Sequence, residues 1–303
     1  MIKTCEAMKK FLVLISIFLL ACTSRPAGQQ AAQAASIAQT RFHCDSDTTV
    51  INNLLMRGYE SGISDANALV EFYARQLLGT PYVAGTLEGD TEQLTINVHQ
   101  LDCTTFVETL YALARTTLNQ RYSWRDYAAS LENLRYRGGK MGDYSSRLHY
   151  ISEWIVDNRM RGNMQEVTPD LPHVDYIIKN IDFMSHHASS YRSLSNDSAM
   201  LEKIKGFEAG YRNHRFPYLK RSWLDDKKVK AQLRSGDFVG LVTNIPGLDI
   251  SHMGIIIIDD KGEPYLLDAS MSGGEVMLEA KPLYKHLNKS KTTIGIRVFR
   301  MIP

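Results

Sequence analysis

Three apolar runs near the C-terminus, joined by short links, constrain this chain more than any other feature. The runs cover 238–243, 252–258 and 265–269, and a fourth follows at 294–300. They are β-branched or aromatic in character and have the length of strands. Asn244-Ile245-Pro246-Gly247 and Asp259-Asp260-Lys261-Gly262 supply turn formers between them. A parallel pair needs a crossover of about a dozen residues or more, which these links lack, so the strands are expected to pair antiparallel.

The first half has a helical texture instead. Asp65 can cap a helix carrying Leu69, Phe72, Tyr73 and Leu77 on one face, stopped by Gly79 and Pro81. Ser123 can cap a second through Trp124, Tyr127, Leu131 and Leu134. A third, from Asn196 or Asp197, aligns Met200, Ile204, Phe207 and Tyr211. Helices followed by an antiparallel sheet predict an α+β domain, and the absence of a repeat or a Pro/Gly-rich divider favours one domain over 47–303.

The N-terminus reads as a leader. Lys9 and Lys10 precede an apolar run over 11–20 that is too short to span a bilayer but suits a signal-peptide core. It ends in Leu19-Leu20-Ala21-Cys22, which resembles the lipobox of bacterial lipoproteins and implies that Cys22 is lipidated and becomes the mature N-terminus. The expected location is the bacterial cell envelope, lipid-anchored and facing the periplasm or the outer surface. The polar, low-complexity stretch 23–46 is expected to be a tether.

Charge and cysteine usage exclude several classes. Residues 1–21 carry the whole formal net charge of +2, so the mature chain has no basic excess and nucleic-acid binding has no electrostatic footprint. Cysteines number 4, with no Cys-x-x-Cys pair, and two of them, Cys5 and Cys22, belong to the leader. Neither a disulfide scaffold nor paired zinc ligands are indicated, and no metal or cofactor is expected. Cys44 and Cys103 remain, with Cys44 expected to stay unpaired.

Cys103 lies in Leu101-Asp102-Cys103-Thr104-Thr105-Phe106-Val107-Glu108. Asp102 is a favoured N-cap, and Phe106, Leu110, Leu113 and Thr117 continue an amphipathic helix, which places the sulfur in its first turn. A helix N-terminus favours thiolate and can receive an oxyanion. The alternative is a small buried hydrophobe. A nucleophile also needs a base. His252 opens an apolar strand, and Asp268 ends the next, so adjacent antiparallel strands can bring them together as imidazole and orienting carboxylate.

Taken in order, Gly79-Thr80-Pro81-Tyr82-Val83-Ala84-Gly85, Asp102-Cys103, Ser235-Gly236-Asp237-Phe238-Val239 and Ser251-His252-Met253-Gly254-Ile255 resemble the NlpC-type cysteine hydrolases of bacterial cell walls. That resemblance covers roughly 65–303 and implies a papain-like core with the nucleophile on a helix and the base on a strand. Within that group the run 101–108 and Gly247-Leu248-Asp249-Ile250-Ser251-His252 are most similar to the N-acetylmuramoyl-L-alanine amidase-like branch. It implies cleavage of the amide between N-acetylmuramic acid and L-alanine in peptidoglycan or muropeptides, by Cys103, His252 and Asp268. It also implies that Tyr82 lies beside Cys103 and that Asp102 and Ser251 border the substrate. Two departures stand out: Asp102-Cys103-Thr104-Thr105 replaces the commoner Asp-Cys-Ser-Gly, and Asp268-Ala269-Ser270 stands where this branch often has His-Ala-Ser.

The separation of Cys103 from His252 exceeds what a minimal core requires, and 138–223 is expected to be a helical insertion that shapes specificity. Of its basic residues, Arg147 is the candidate for substrate carboxylates or lactyl oxygens. Two other outcomes remain open at this stage, a stem-peptide endopeptidase of the same fold and a wall-binding lipoprotein with a decayed site. A monomer is expected.

Overall fold

The computed structural model describes residues 39–303. The leader 1–22 with Cys22, and the tether up to residue 38, lie outside the described residues. Folded structure starts earlier than Asp47, which shortens the expected tether. Arg41–Phe42 (β1) pairs in parallel with Thr95–Ile96 (β2), because the Arg41 guanidinium donates to the carbonyls of Thr86 and Glu88 and fixes the entering chain.

The long helices are Asp47–Glu60 (α1), Ala66–Gln76 (α2), Cys103–Leu118 (α3), Trp124–Arg135 (α4), Ile151–Met160 (α5) and Ser198–Ala209 (α6). Asp65, Asp102, Ser123 and Asp197 are the N-caps of α2, α3, α4 and α6, each accepting from a backbone N–H of the first turn, as the sequence predicts. The remaining strands are Met164–Glu166 (β3), Val174–Lys179 (β4), His214–Lys220 (β5), Phe238–Thr243 (β6), Ile250–Ile258 (β7), Pro264–Ser270 (β8), Glu275–Leu278 (β9) and Thr293–Met301 (β10). They form one antiparallel 8-stranded sheet in the order β4-β5-β10-β6-β7-β8-β9, with β3 also on β10. The fold is therefore α+β with an antiparallel sheet. The stretch 138–223 departs from expectation: it holds α5 and α6, but it also contributes β3, β4 and β5 to the sheet, so it is a mixed extension and not a helical insertion.

Both faces of the central strands are covered, which explains why β6 and β7 read as continuous apolar runs and not as alternating ones. Phe238, Val242, Ile255, Ile257, Leu267 and Phe299 join Leu69, Tyr73, Phe106, Leu110 and Trp154 in the core under the helices. Val239, Leu241, Ile256, Leu266 and Val298 pack on the opposite side against Leu224, Val229, Leu283 and Leu287. Each such side chain contributes about 1.5–3 kcal/mol when fully buried. For the site, the decisive packing is α3 against β7 and β8. Among the described residues, no helix is long and apolar enough to cross a membrane.

Candidate active site

Cys103 is the first residue of α3, and a capping box holds the turn that carries it. The Asp102 carboxylate accepts from the Thr105 N–H at 2.8 Å, while the Asp102 N–H donates back to Thr105 Oγ1 at 2.9 Å. Thr105, which replaces the glycine of the commoner pattern, thus supplies half of the cap. Deeper in the helix, buried Glu108 accepts from Arg135 Nε at 2.7 Å, and Arg135 Nη1 donates to the Thr95 carbonyl at 2.8 Å. That bridge ties α3 to α4 and β2. The Cys103 side chain is half-buried against the core, and the thiol is free.

His252 reaches the sulfur from β7. Leu241 pairs with His252 but Val242 pairs with Ile250, so Ser251 is an extra, unpaired residue in the ladder, a β-bulge. Bulges bend a strand and re-aim side chains next to functional sites. The His252 ring hydrogen-bonds Asp268 Oδ2 through Nε2, and the Cys103 thiol lies close enough to raise the ring's proton affinity. Asp268 is 2% exposed, and its Oδ1 makes no hydrogen bond among the described residues. The carboxylate therefore serves His252 and not the backbone of the following turn.

Burial alone would push the His252 ring down, but the hydrogen bonds and negative charge of Asp268 and Cys103 outweigh it and raise the ring to about 10. The sign of the pH effect follows. A folded value above the unfolded one, near 6.5, gives stability that is complete below about 6.5 and lost as pH rises through about 10. The stability advantage of the natural chain over Asp268→Asn, read from urea midpoints, should be largest below about 6.5, shrink progressively above it and be gone above about 10. An advantage that does not change across this range would show that the ring is not held as a cation.

Gly254 makes the His252–Asp268 approach possible. A Cβ there would lie 2.7 Å from the Leu267 carbonyl oxygen and 2.9 Å from Asp268 Cβ, closer than backbone and a buried strand can yield. Gly254→Ala should cost about 1–3 kcal/mol and reduce turnover by displacing Asp268. Native melting temperature together with native turnover would refute this role.

The other residues nominated from sequence separate into two groups. Tyr82 lies close to Cys103: Val83 N donates to the Leu101 carbonyl at 3.1 Å, Leu101 N donates to that of Pro81 at 3.0 Å, and Tyr82 N donates to Gly274 O at 2.8 Å. Burial, then the negative charges of Cys103 and Asp102, push its phenol up, so it stays a hydrogen-bond donor. Ser251, the bulged residue, is exposed, and its hydroxyl donates to Leu241 O at 3.5 Å. Arg147 behaves differently. It is 7% exposed, with Nη1 on Glu88 at 2.9 Å and Nη2 on Glu92 at 2.8 Å, so its charge is already neutralised. It lines a cavity of about 580 Å³ together with Glu92, Asp143, Tyr144 and Arg192, and its hydrogen bonds do not run to the catalytic candidates. Nearby His149 is pushed down to about 3 by burial and by Arg147, which keeps it neutral.

Sequence reading missed one constellation. Cys44, Asp47 and His99 present ligand-type atoms all within 4.8 Å of one another. No spacing motif signals it, because the parallel pairing of β1 with β2 creates it.

The site thus brings a sheet-borne imidazole to a thiol at a helix start, and the comparisons give the class of protein. The chain belongs to the N-acetylmuramoyl-L-alanine amidase-like (AmiA-like) family, whose model matches residues 73–296. It is 34% identical to an N-acetylmuramoyl-L-alanine amidase from Bacteroides uniformis over 78% of this chain and 99% of that one, with a TM-score of 0.74. A Bacteroides fragilis protein described as a candidate xylanase is 37% identical over 75% of this chain and 99% of its own, with a TM-score of 0.71. A Legionella pneumophila protein shares the fold at 21% identity, a TM-score of 0.63 and coverage of 89% and 97%. No curated protein matches the chain.

Proposed function

We infer that this protein is a cysteine-dependent hydrolase cutting the amide between N-acetylmuramic acid and L-alanine in peptidoglycan or its soluble muropeptides. The observation that carries the reading is the line Cys103, His252, Asp268, in which a thiol at a helix start meets an imidazole held by a buried carboxylate. The named relative from Bacteroides uniformis supports the choice of bond. A glycosidase works instead through two carboxyl groups flanking the scissile bond, so a thiol–imidazole pair favours acyl transfer over the chemistry that the xylanase description would require. The arrangement of nucleophile on a helix and base on a strand is papain-like in kind.

The chemistry runs in two halves. The Cys103 thiolate attacks the lactyl carbonyl carbon and forms the C–S bond, and the carbonyl oxygen takes the negative charge within reach of the Tyr82 hydroxyl and the helix start. The His252 imidazolium gives its Nδ1 proton to the alanine nitrogen as the C–N bond breaks, which leaves a thioester. Water then loses a proton to His252 and attacks the thioester, the C–S bond breaks, and the imidazolium–thiolate pair returns. Asp268 holds the tautomer that keeps Nδ1 aimed at sulfur.

The same reading places the mature protein on the bacterial envelope through a lipid on Cys22, as a monomer with access to wall fragments. Product analysis on a defined muropeptide tests the bond. A peptide beginning with free L-alanine is expected; shorter stem fragments would make the protein an endopeptidase, and no product would make it a wall-binding lipoprotein.

A further inference from the structure

We propose that Cys44, Asp47 and His99 form a zinc site, separate from the catalytic line, that pins the first folded segment to the segment leading into Cys103. Cys44 follows β1, Asp47 is the first residue of α1, and His99 lies between β2 and the α3 cap. Thiolate, carboxylate and imidazole are the three ligand types that zinc takes.

The spacing fits the ion. Zinc–ligand bonds of the usual lengths put tetrahedral ligand atoms about 3.3–3.6 Å apart. His99 Nε2 lies 3.8 Å from Asp47 Oδ1, and all three donors fall within 4.8 Å of each other. Ser46 Oγ sits between two of them, 3.2 Å from Cys44 Sγ and 3.1 Å from His99 Nε2. Although Ser46 is the N-cap of α1, its side chain makes no capping bond, so that hydroxyl can rotate away or become a fourth donor without cost to the helix.

Charge and orientation point the same way. Asp47 is fully buried, yet among the described residues its only ion-pair partner is His99, a weak compensation for a desolvated carboxylate. A divalent cation with the Cys44 thiolate would make the centre neutral. Asp47 is also held as a ligand should be, with Oδ2 accepting from Cys44 N at 2.9 Å and Oδ1 from Val98 N at 3.2 Å. The His99 segment is shaped by Asn97, whose side-chain oxygen accepts from the N–H of His99 at 3.0 Å and that of Gln100 at 2.9 Å. His99 is 37% exposed and leaves an entry path.

Cobalt(II) and zinc are the probes, added to the full chain and to its Cys103→Ala, Cys44→Ser and His99→Ala variants. The natural chain and Cys103→Ala should each bind one cobalt, with a thiolate-to-cobalt charge-transfer band and tetrahedral d–d bands, and zinc should raise their melting temperatures. Cys44→Ser should lose the charge-transfer band, and both ligand variants should bind about a hundredfold more weakly and show no zinc-induced shift. Both replaced side chains are partly exposed, so these variants are expected to fold, which their melting curves without metal will verify. No cobalt uptake by the natural chain, or a band that survives in Cys44→Ser, overturns the proposal. A band lost in Cys103→Ala would move the metal to the catalytic thiol and overturn it equally. Because the readout is spectral and thermal, it stands apart from the muropeptide test of amidase chemistry.

Discussion

Cys103→Ala is expected to leave no hydrolysis above the uncatalysed background, a loss in turnover of about a millionfold, which is the scale on which a triad nucleophile acts. The reason is positional: no other described thiol stands at the start of α3 beside an imidazole, and Cys44 faces Asp47 and His99 instead. Removing a half-buried sulfur should cost the fold little, so melting temperature should stay near that of the natural chain while activity disappears. Cys103 should also be the thiol that iodoacetamide alkylates fastest near neutral pH, and His252→Ala should slow that reaction as well as hydrolysis, since the imidazolium partner is gone. His252→Ala leaves Asp268 as a buried, unpaired charge and should lose about 3–5 kcal/mol, so its alkylation is to be measured well below its own melting point. Residual hydrolysis by Cys103→Ala at a substantial fraction of the natural rate would remove the thiol mechanism outright.

What could be read from the sequence was local. Asp65, Asp102, Ser123 and Asp197 announce their helices because a cap is a contact between neighbours in the chain. β6 and β7 were legible because two buried faces leave nearly continuous apolar runs, and β8 and β10 because their apolar residues are interrupted only by Asp268 and by Arg297 and Arg300. β4 and β5 were hidden by the opposite circumstance. Val174–Lys179 is an edge strand that exposes Tyr176 and Ile178, and His214–Lys220 contains Pro217, which suggests a break. Pro217 is tolerated because β5 pairs with β10 only at Leu219 and Lys220, so no ladder N–H is required of it on that side. In the site, the order Cys103, His252, Asp268 was visible, but the bulge at Ser251 and the close approach at Gly254 depend on strand register. Arg147 misled for a related reason: its partners Glu88 and Glu92 lie far upstream, and nothing in the local sequence shows that its charge is already spent.

Asp268→Asn is expected to lower turnover about a hundredfold or more, and the geometry says why the amide is an informative replacement. Asp268 makes one side-chain hydrogen bond, through Oδ2 to His252 Nε2, and its Oδ1 is buried with no hydrogen-bond partner among the described residues. The amide can therefore sit in either of two orientations. With its oxygen toward His252 it still accepts from Nε2–H, but the negative charge that stabilises the imidazolium is gone. With its nitrogen toward His252 it donates, Nε2 must become the acceptor, and the proton moves to Nδ1, which then cannot take a proton from sulfur. Both orientations impair the base, and neither leaves an unpaired charge in the core, so activity should fall further than stability. Asp268→His should recover part of the loss if histidine serves at this position in relatives, although the close contact with Gly254 limits how well the larger ring fits. Melting temperature and turnover measured on the same preparations decide the matter. A destabilised but fully active Asp268→Asn would mean that the carboxylate only ends β8, and His252 would then need another explanation for its raised proton affinity.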